Sequence, residues 1–327
     1  MNEKSLKLLE QYDLELISAR RGRGSYICET SLGKKLLTDY TGSEKKIVFT
    51  NQLLERMEQK GLHYTDKVMA SREGAYLCRD WDDNTCVLKD WQEGRECDTS
   101  SAFDVEAATA NLAHLHTMMV WPQVEGERLY AGECLTEVWK RHNQELKKVN
   151  EFVRKRKQKT EFESIFLKQY PEYARQAREA LEMLENSGYE TLYRASVEAG
   201  EMCHGNYNQH NIYFLGKKQI FTSNFEKCGY DIPVSDLYQF VRKIMEKQEW
   251  SLKMGKRMIE AYERIRPLSE GERKYLFIRL CYPEKFWKLA NQYYNCRKAC
   301  LSGKNGEKLK KLAVQEEKRG VFLRQML

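Results

Sequence analysis

Strand-forming signal in this chain is confined almost entirely to the residues before 93, and that asymmetry restricts the fold more than any other feature. Leu14 to Tyr40 alternate apolar and polar residues and are broken at Gly22-Arg23-Gly24 and Ser31-Leu32-Gly33, which predicts a three-stranded meander. A short charged helix, Asn2 to Gln11, precedes it. Gly42-Ser43 opens a helical stretch, Glu44 to Lys60, with Ile47, Leu54 and Met57 near one face. Three more β-like runs follow, Lys67 to Ser71, Gly74 to Trp81 and Thr85 to Trp91. From Ser101 the chain reads as successive helices: Phe103 to Met119, Leu135 to Lys159, Pro171 to Asn186, Val234 to Lys247, Leu252 to Ile265, Ser269 to Leu280, Pro283 to Leu301 and Glu307 to Leu327. Ser269 with Glu272 three residues on forms a capping box. One β-like interruption remains, a hairpin over Asn211 to Phe225 turning at Leu215-Gly216-Lys217-Lys218.

Strands and helices do not alternate, so a doubly wound parallel sheet is disfavoured. The expected class is α+β in two lobes, a small antiparallel-sheet lobe over residues 1–92 and a mainly helical lobe over 93–327 carrying the hairpin. With 41% hydrophobic and 31% charged residues the chain is globular rather than disordered. No run approaches the roughly 20 apolar residues a membrane span needs, and the N-terminus has neither an apolar core nor a small-residue cleavage site. Synthesis in the cytoplasm and no membrane partner are expected. Ten cysteines without CxxC pairs are read as reduced and mostly buried, with Cys296 and Cys300 in core packing rather than on a metal. The basic run Arg154 to Lys159 is read as a solvated helix end. No zinc-finger spacing or aromatic RNA-binding motif supports a nucleic-acid partner.

The order of elements is that of a protein-kinase-like fold, and particular residues sharpen the likeness. Leu112-Ala113-His114-Leu115-His116, Cys203-His204-Gly205-Asn206 through Asn211, Asn224-Phe225-Glu226, the tract from Tyr230 through Asp236-Leu237-Tyr238 to Trp250, and Phe286-Trp287 through Tyr294 resemble the aminoglycoside and choline phosphotransferase superfamily. Within it the chain is similar to the CotS family of spore coat proteins over nearly its whole length.

That resemblance implies a set of working parts, because phosphoryl transfer asks a protein chiefly for positioning and charge neutralisation. Gly22 and Gly24 are the candidate phosphate-side hairpin turn, ordinary hairpin chemistry being the other reading, and Lys89 with Asp90 complete the candidate cofactor-binding set. Thr38 stands where the strand-three lysine belongs. Lys34 or Lys35 are possible substitutes at the wrong spacing, and Glu55 or Glu58 are the candidate helix partners. His204 has a structural role, bonding the hairpin backbone, and Asn206 replaces the catalytic base. An amide accepts no proton, and the lost base role is typically worth about 10²- to 10⁴-fold in rate. Asn211 is the first metal ligand, Asn224 replaces the metal-binding Asp, and Glu226 restores a metal site only by changing strand face. Hard cations prefer carboxylate oxygens, so these changes weaken the site. Asp236 corresponds to a structural Asp bracing the catalytic loop, and His114 and His116 close a helix as core histidines rather than metal ligands.

The expected function is therefore a spore-coat-associated pseudokinase with a structural or assembly role, not an efficient kinase. No cofactor is expected, ATP and Mg²⁺ being the alternative, and the expected partners are other coat proteins. Synthesis in the mother cell and deposition on the spore are implied by the resemblance. The competing expectation is an active ATP-dependent phosphotransferase acting on a small-molecule hydroxyl.

Overall fold

A computed structural model describes residues 3–80, 82–122, 130–216, 219–295 and 304–326. Cys296, Cys300 and the Lys217-Lys218 end of the hairpin turn lie outside the described residues. The chain divides into two compact units, residues 1–121 with 202–229, and residues 122–201 with 230–327. Composition changes near residue 92, yet the hairpin counts with the sheet-bearing unit because its strands pair there.

In the first unit β1 (Leu16–Arg21), β2 (Ser25–Thr30) and β3 (Gly33–Asp39) form the antiparallel meander. It is followed by α1 (Glu44–Gln59), β4 (Val68–Met69), β5 (Cys78–Arg79), β6 (Thr85–Asp90), β7 (Arg95–Glu96) and α2 (Ala102–Met118). Sheet order is β1-β2-β3-β6-β4, with β5 paired to β6. One sheet face buries Tyr26, Cys28, Leu37, Cys86 and Leu88 against Leu8, Leu9 and Tyr12 of the N-terminal segment. That segment, Glu3–Gln11, is a 3-10 helix rather than an α-helix. On the other face Ile47 of α1 packs with Tyr40, Val68 and Val87. Ser43 caps α1 by accepting from the Lys46 N–H. Asn51 clamps β4, donating to the Val68 carbonyl at 2.8 Å and accepting from its N–H at 3.0 Å.

After β8 (Met202–Cys203), the hairpin strands β9 (Ile212–Phe214) and β10 (Ile220–Thr222) complete this unit. Arg95 on β7 pairs with Phe214, giving a three-stranded sheet ordered β10-β9-β7, and Thr65 bridges to Thr222. The eight described cysteines form no disulfide, and six of them are buried.

The second unit carries α3 (Leu135–Lys155), α4 (Glu161–Glu185), α5 (Tyr189–Glu198), α6 (Val234–Lys247), α7 (Leu252–Glu263), α8 (Glu270–Cys281), α9 (Glu284–Asn295) and α10 (Lys304–Met326). The two residues of β11 (Gly229–Tyr230) fall on either side of the division. The sequence places a helix start at Pro171, but that proline lies inside α4. Thr160 and Glu163 form a capping box that starts the helix ten residues earlier. Its buried stripe of Phe162, Phe166, Tyr173, Ala177 and Leu184 continues across the proline. Phe166 and Tyr173 stack on Phe286 of α9 at 5.2 and 4.4 Å. This packing outweighs the roughly 3 kcal/mol that an interior proline costs. Helix α3 ends at Lys155, and Arg156 turns back to the buried Glu163 at 2.8 Å, leaving Lys157 and Lys159 exposed. Both halves of the Ser269–Glu272 capping box are formed. Among the described residues no helix is long and apolar enough to cross a membrane.

Just before α6, burial pushes the Asp231 carboxyl from an ordinary 3.8 up to about 6, against the pull of the Arg279 guanidinium and the Ile232 N–H. The folded state then holds this proton more tightly than the unfolded chain. Stability from this group is complete below about pH 4 and is lost as pH rises through about 6. Discounted for the water that still reaches it, the loss is about 1 to 2 kcal/mol. Asp231→Asn is expected to flatten that decline, measured by urea unfolding at pH 4.5 and 7.5. Equal pH slopes for both proteins would contradict it.

Candidate functional site

Strand pairing lays the floor of the site. Ile27 on β2 sits opposite Leu36 on β3, and Leu36 sits opposite Lys89 on β6. Directly paired residues in an antiparallel ladder share a face. Ile27, Leu36, Thr38 and Lys89 accordingly line one cleft of about 540 Å³, together with Arg20, Gly22, Arg23, Asp66, Trp91, Glu93, Glu96, Asn211, Asn224 and Glu226. Gly22 lies in the β1–β2 turn, its N–H bonded to the Ser25 carbonyl at 2.8 Å, and Gly24 takes a left-handed φ of 70°.

The lysine in this cleft is Lys89. Lys34 instead pairs with Glu93 at 2.5 Å, and Lys35 points to the opposite face, where it meets Asp90 at 2.6 Å. Asp90 therefore sits away from Lys89, as alternation along β6 requires. Neither Glu55 nor Glu58 supplies the acidic partner: Glu55 is exposed, and Glu58 pairs with Lys67 at 3.2 Å. That role falls to Asp66, which the sequence reading missed. Lys89 Nζ lies 3.5 Å from Asp66 Oδ2 and 2.5 Å from Glu226 Oε1. The side chains of Lys89 and Asp66 are 4% and 3% exposed. Burial alone would lower the Lys89 pKa, but the two carboxylates outweigh it and raise the value. Burial pushes the Asp66 carboxyl upward against the Lys89 charge and the Asn224 N–H, which donates to Oδ2 at 2.7 Å. No periodicity along one strand reveals this trio. Only the β4–β6 register, which sets Val68 opposite Lys89, and the bridge that draws Thr65 to Thr222 bring it together.

The segment from His204 to Asn211 is held by its own hydrogen bonds. His204 is fully buried, with Nε2 3.0 Å from the Ser223 carbonyl and Nδ1 3.1 Å from the Asn206 N–H. A carbonyl only accepts and an N–H only donates, so the ring is neutral with its proton on Nε2. The Asn206 carbonyl accepts from the amides of Asn208 at 2.7 Å and Asn211 at 2.8 Å. Asn206 Oδ1 accepts from Asn208 at 3.3 Å, and Asn206 itself is not among the cleft-lining residues. Tyr207 ties the loop to α2 through the Ala108 carbonyl at 2.7 Å. His116 is buried in the last turn of α2, while His114 is exposed.

Asn224 has φ 70° and ψ 53°, a left-handed conformation that Asn and Asp tolerate better than most residues. Residues two apart in a strand share a face, so the expectation that Glu226 must change strand face to join Asn224 does not hold. Residues Phe225–Lys227 form a 3-10 turn, and the side chains of Asn224 and Glu226 both line the cleft. Asp236 is fully buried in the first turn of α6, in the second unit.

Every cation lining the cleft is engaged by a carboxylate: Arg20 by Glu93 at 2.7 Å, Arg23 by Glu96 at 3.4 Å, and Lys89 by Asp66 and Glu226. Of the residues standing where metal ligands belong, Asn211 is the expected amide, and Asn224 is an amide where a carboxylate is expected. The one carboxylate near them in sequence, Glu226, is already paired with Lys89. A hard dication with a nucleotide triphosphate asks for carboxylate oxygens and an available cation, and this donor set does not fit that pair.

"Spore coat protein S" of Bacillus subtilis (strain 168) is 25% identical over 323 residues, covering 94% of this chain and 88% of that protein. An aminoglycoside phosphotransferase from Alicyclobacillus acidocaldarius superposes with a TM-score of 0.85 at 18% identity, covering 98% of this chain and 94% of the other. A spectinomycin phosphotransferase in complex with ADP and spectinomycin gives 0.61 at 8% identity, covering 96% of each. These structural likenesses establish the fold: α+β, with an antiparallel N-terminal sheet and a mostly helical larger part, of the kinase-like phosphotransferase type. The model of the family described as "Spore coat putative kinase YutH" matches residues 5–326, and the chain belongs to that family.

Proposed function

We propose that this protein is a pseudokinase that serves the spore coat as a structural or assembly component. One observation carries the reading. Amides stand at 206 and 224 while the loop keeps its internal hydrogen bonds, and the Glu226 carboxylate is paired with Lys89. A catalytic loop without its base still needs the His204 and Asn224 geometry to hold the hairpin's shape. Retained shape without the acidic chemistry supports a docking role. The coat relative and the family description support the location, and other coat proteins are the proposed partners. Synthesis in the mother-cell cytoplasm followed by deposition on the forespore surface belongs to the same proposal.

The test is nucleotide binding and turnover by the full chain. No thermal shift is expected with ATP, with or without Mg²⁺, where a ligand at 100 times its Kd would add about 2.7 kcal/mol. No transfer to a panel of sugar, amino-alcohol and antibiotic hydroxyls is expected either. Turnover at ordinary kinase rates, on the order of 1 to 100 per second, would establish the competing small-molecule phosphotransferase instead.

A further inference from the structure

We propose that the cleft is latched from within: Glu226 occupies the face of Lys89 that a phosphate-bearing anion would take, and Lys89 is the cleft's anion-binding group, carried on β6 rather than β3. The two carboxylates on Lys89 differ in a way that assigns their roles. Asp66 is 3% exposed and is anchored by the Asn224 N–H at 2.7 Å, so it stays with the lysine. Glu226 is 37% exposed, lines the open cleft and meets Nζ at 2.5 Å, so it is the partner that an incoming anion can displace. The Lys89–Asp66 contact then remains as the lysine's permanent counter-ion. Gly22, Arg20 and Arg23 line the same cleft, and a phosphate group suits that setting of backbone turn and guanidinium groups. While Glu226 is in place, an anion entering the cleft meets a carboxylate before it meets the ammonium.

This inference rests on the pseudokinase reading in treating Glu226 as a partner of Lys89 rather than a metal ligand. Its test is independent of turnover. Isothermal titration of the full chain with inorganic pyrophosphate, without divalent metal, compares wild type, Glu226→Gln, Glu226→Ala and the triple variant Asp66→Asn/Lys89→Met/Glu226→Gln. Removing both buried charges together keeps the triple variant free of an uncompensated ion. Glu226→Gln and Glu226→Ala are each expected to bind about tenfold or more tightly than wild type, equivalent to about 1.4 kcal/mol, and the triple variant is expected to lose that gain. Affinity unchanged in both single variants would overturn the latch. So would a triple variant that binds as tightly as Glu226→Gln, since the anion would then be held elsewhere. Turnover of MgATP by wild type would sink the pseudokinase reading alone, while the pyrophosphate series would still report on Lys89 and Glu226.

Discussion

Lys89→Met is expected to destabilise the protein by about 3–5 kcal/mol, the usual loss when one partner of a buried ion pair is removed. Methionine fills the space of the lysine stem, so the loss is electrostatic rather than a packing defect. It leaves Asp66, 3% exposed, as a carboxylate without its counter-ion and with Glu226 nearby. Two further measurements separate this cause from general damage. Adding Asp66→Asn should recover most of the loss, because the buried charge disappears and the amide oxygen still accepts the Asn224 N–H. The destabilisation should also shrink at acid pH. Without Lys89, burial raises the Asp66 pKa with less opposition. The folded state then favours the protonated acid, and stability is regained as the pH falls below the raised value. Urea unfolding of the four proteins of the cycle at pH 7.5 and 4.5 measures both effects. A loss under about 1 kcal/mol at pH 7.5 would show that water solvates Asp66 in the folded state.

Gly205→Ala is expected to cost about 2–4 kcal/mol, combining a left-handed backbone with steric overlap. Gly205 has φ 76°, and a Cβ there would lie 2.3 Å from the Lys227 carbonyl oxygen and 2.9 Å from its carbon. Backbone cannot rotate aside as a flexible side chain can. Relief would require moving either the His204–Asn211 loop or the turn that carries Glu226. Gly24→Ala is the matched control, with φ 70° and open space around its Cβ position. It should cost only about 1–2 kcal/mol from the backbone conformation. Chemical denaturation of both variants makes the comparison, and equal losses would mean that the Lys227 contact is relieved without cost.

The order of elements was legible because it depends on local pattern. Alternation marked the meander and β6, periodicity marked α1, and the loss of strand signal after Ser101 marked the helical region. Ser269 and Glu272 announced the start of α8 through a bond between neighbours in sequence. Two short elements, α5 and β7, were not legible. Helix α5 buries only Tyr189 and Ser196, too little for a periodic signal, and β7 is two residues long. Pro171 misled because its local cost is visible in the sequence, whereas the packing of Phe166 and Tyr173 on Phe286 is not.

The candidate site divides along the same line. The amides at 206, 211 and 224, the absence of lysine at 38 and the left-handed tolerance of Asn224 are properties of single positions, and the sequence by itself determined them. Tertiary structure decided which charges meet. Lys89 is 137 residues from Glu226 and is drawn to it by strand register and a 3-10 turn. Asp66 joins them only because the chain entering β4 runs beside β10 at Thr65. Coulombic and desolvation effects depend on distance and burial in space, which a linear sequence does not carry.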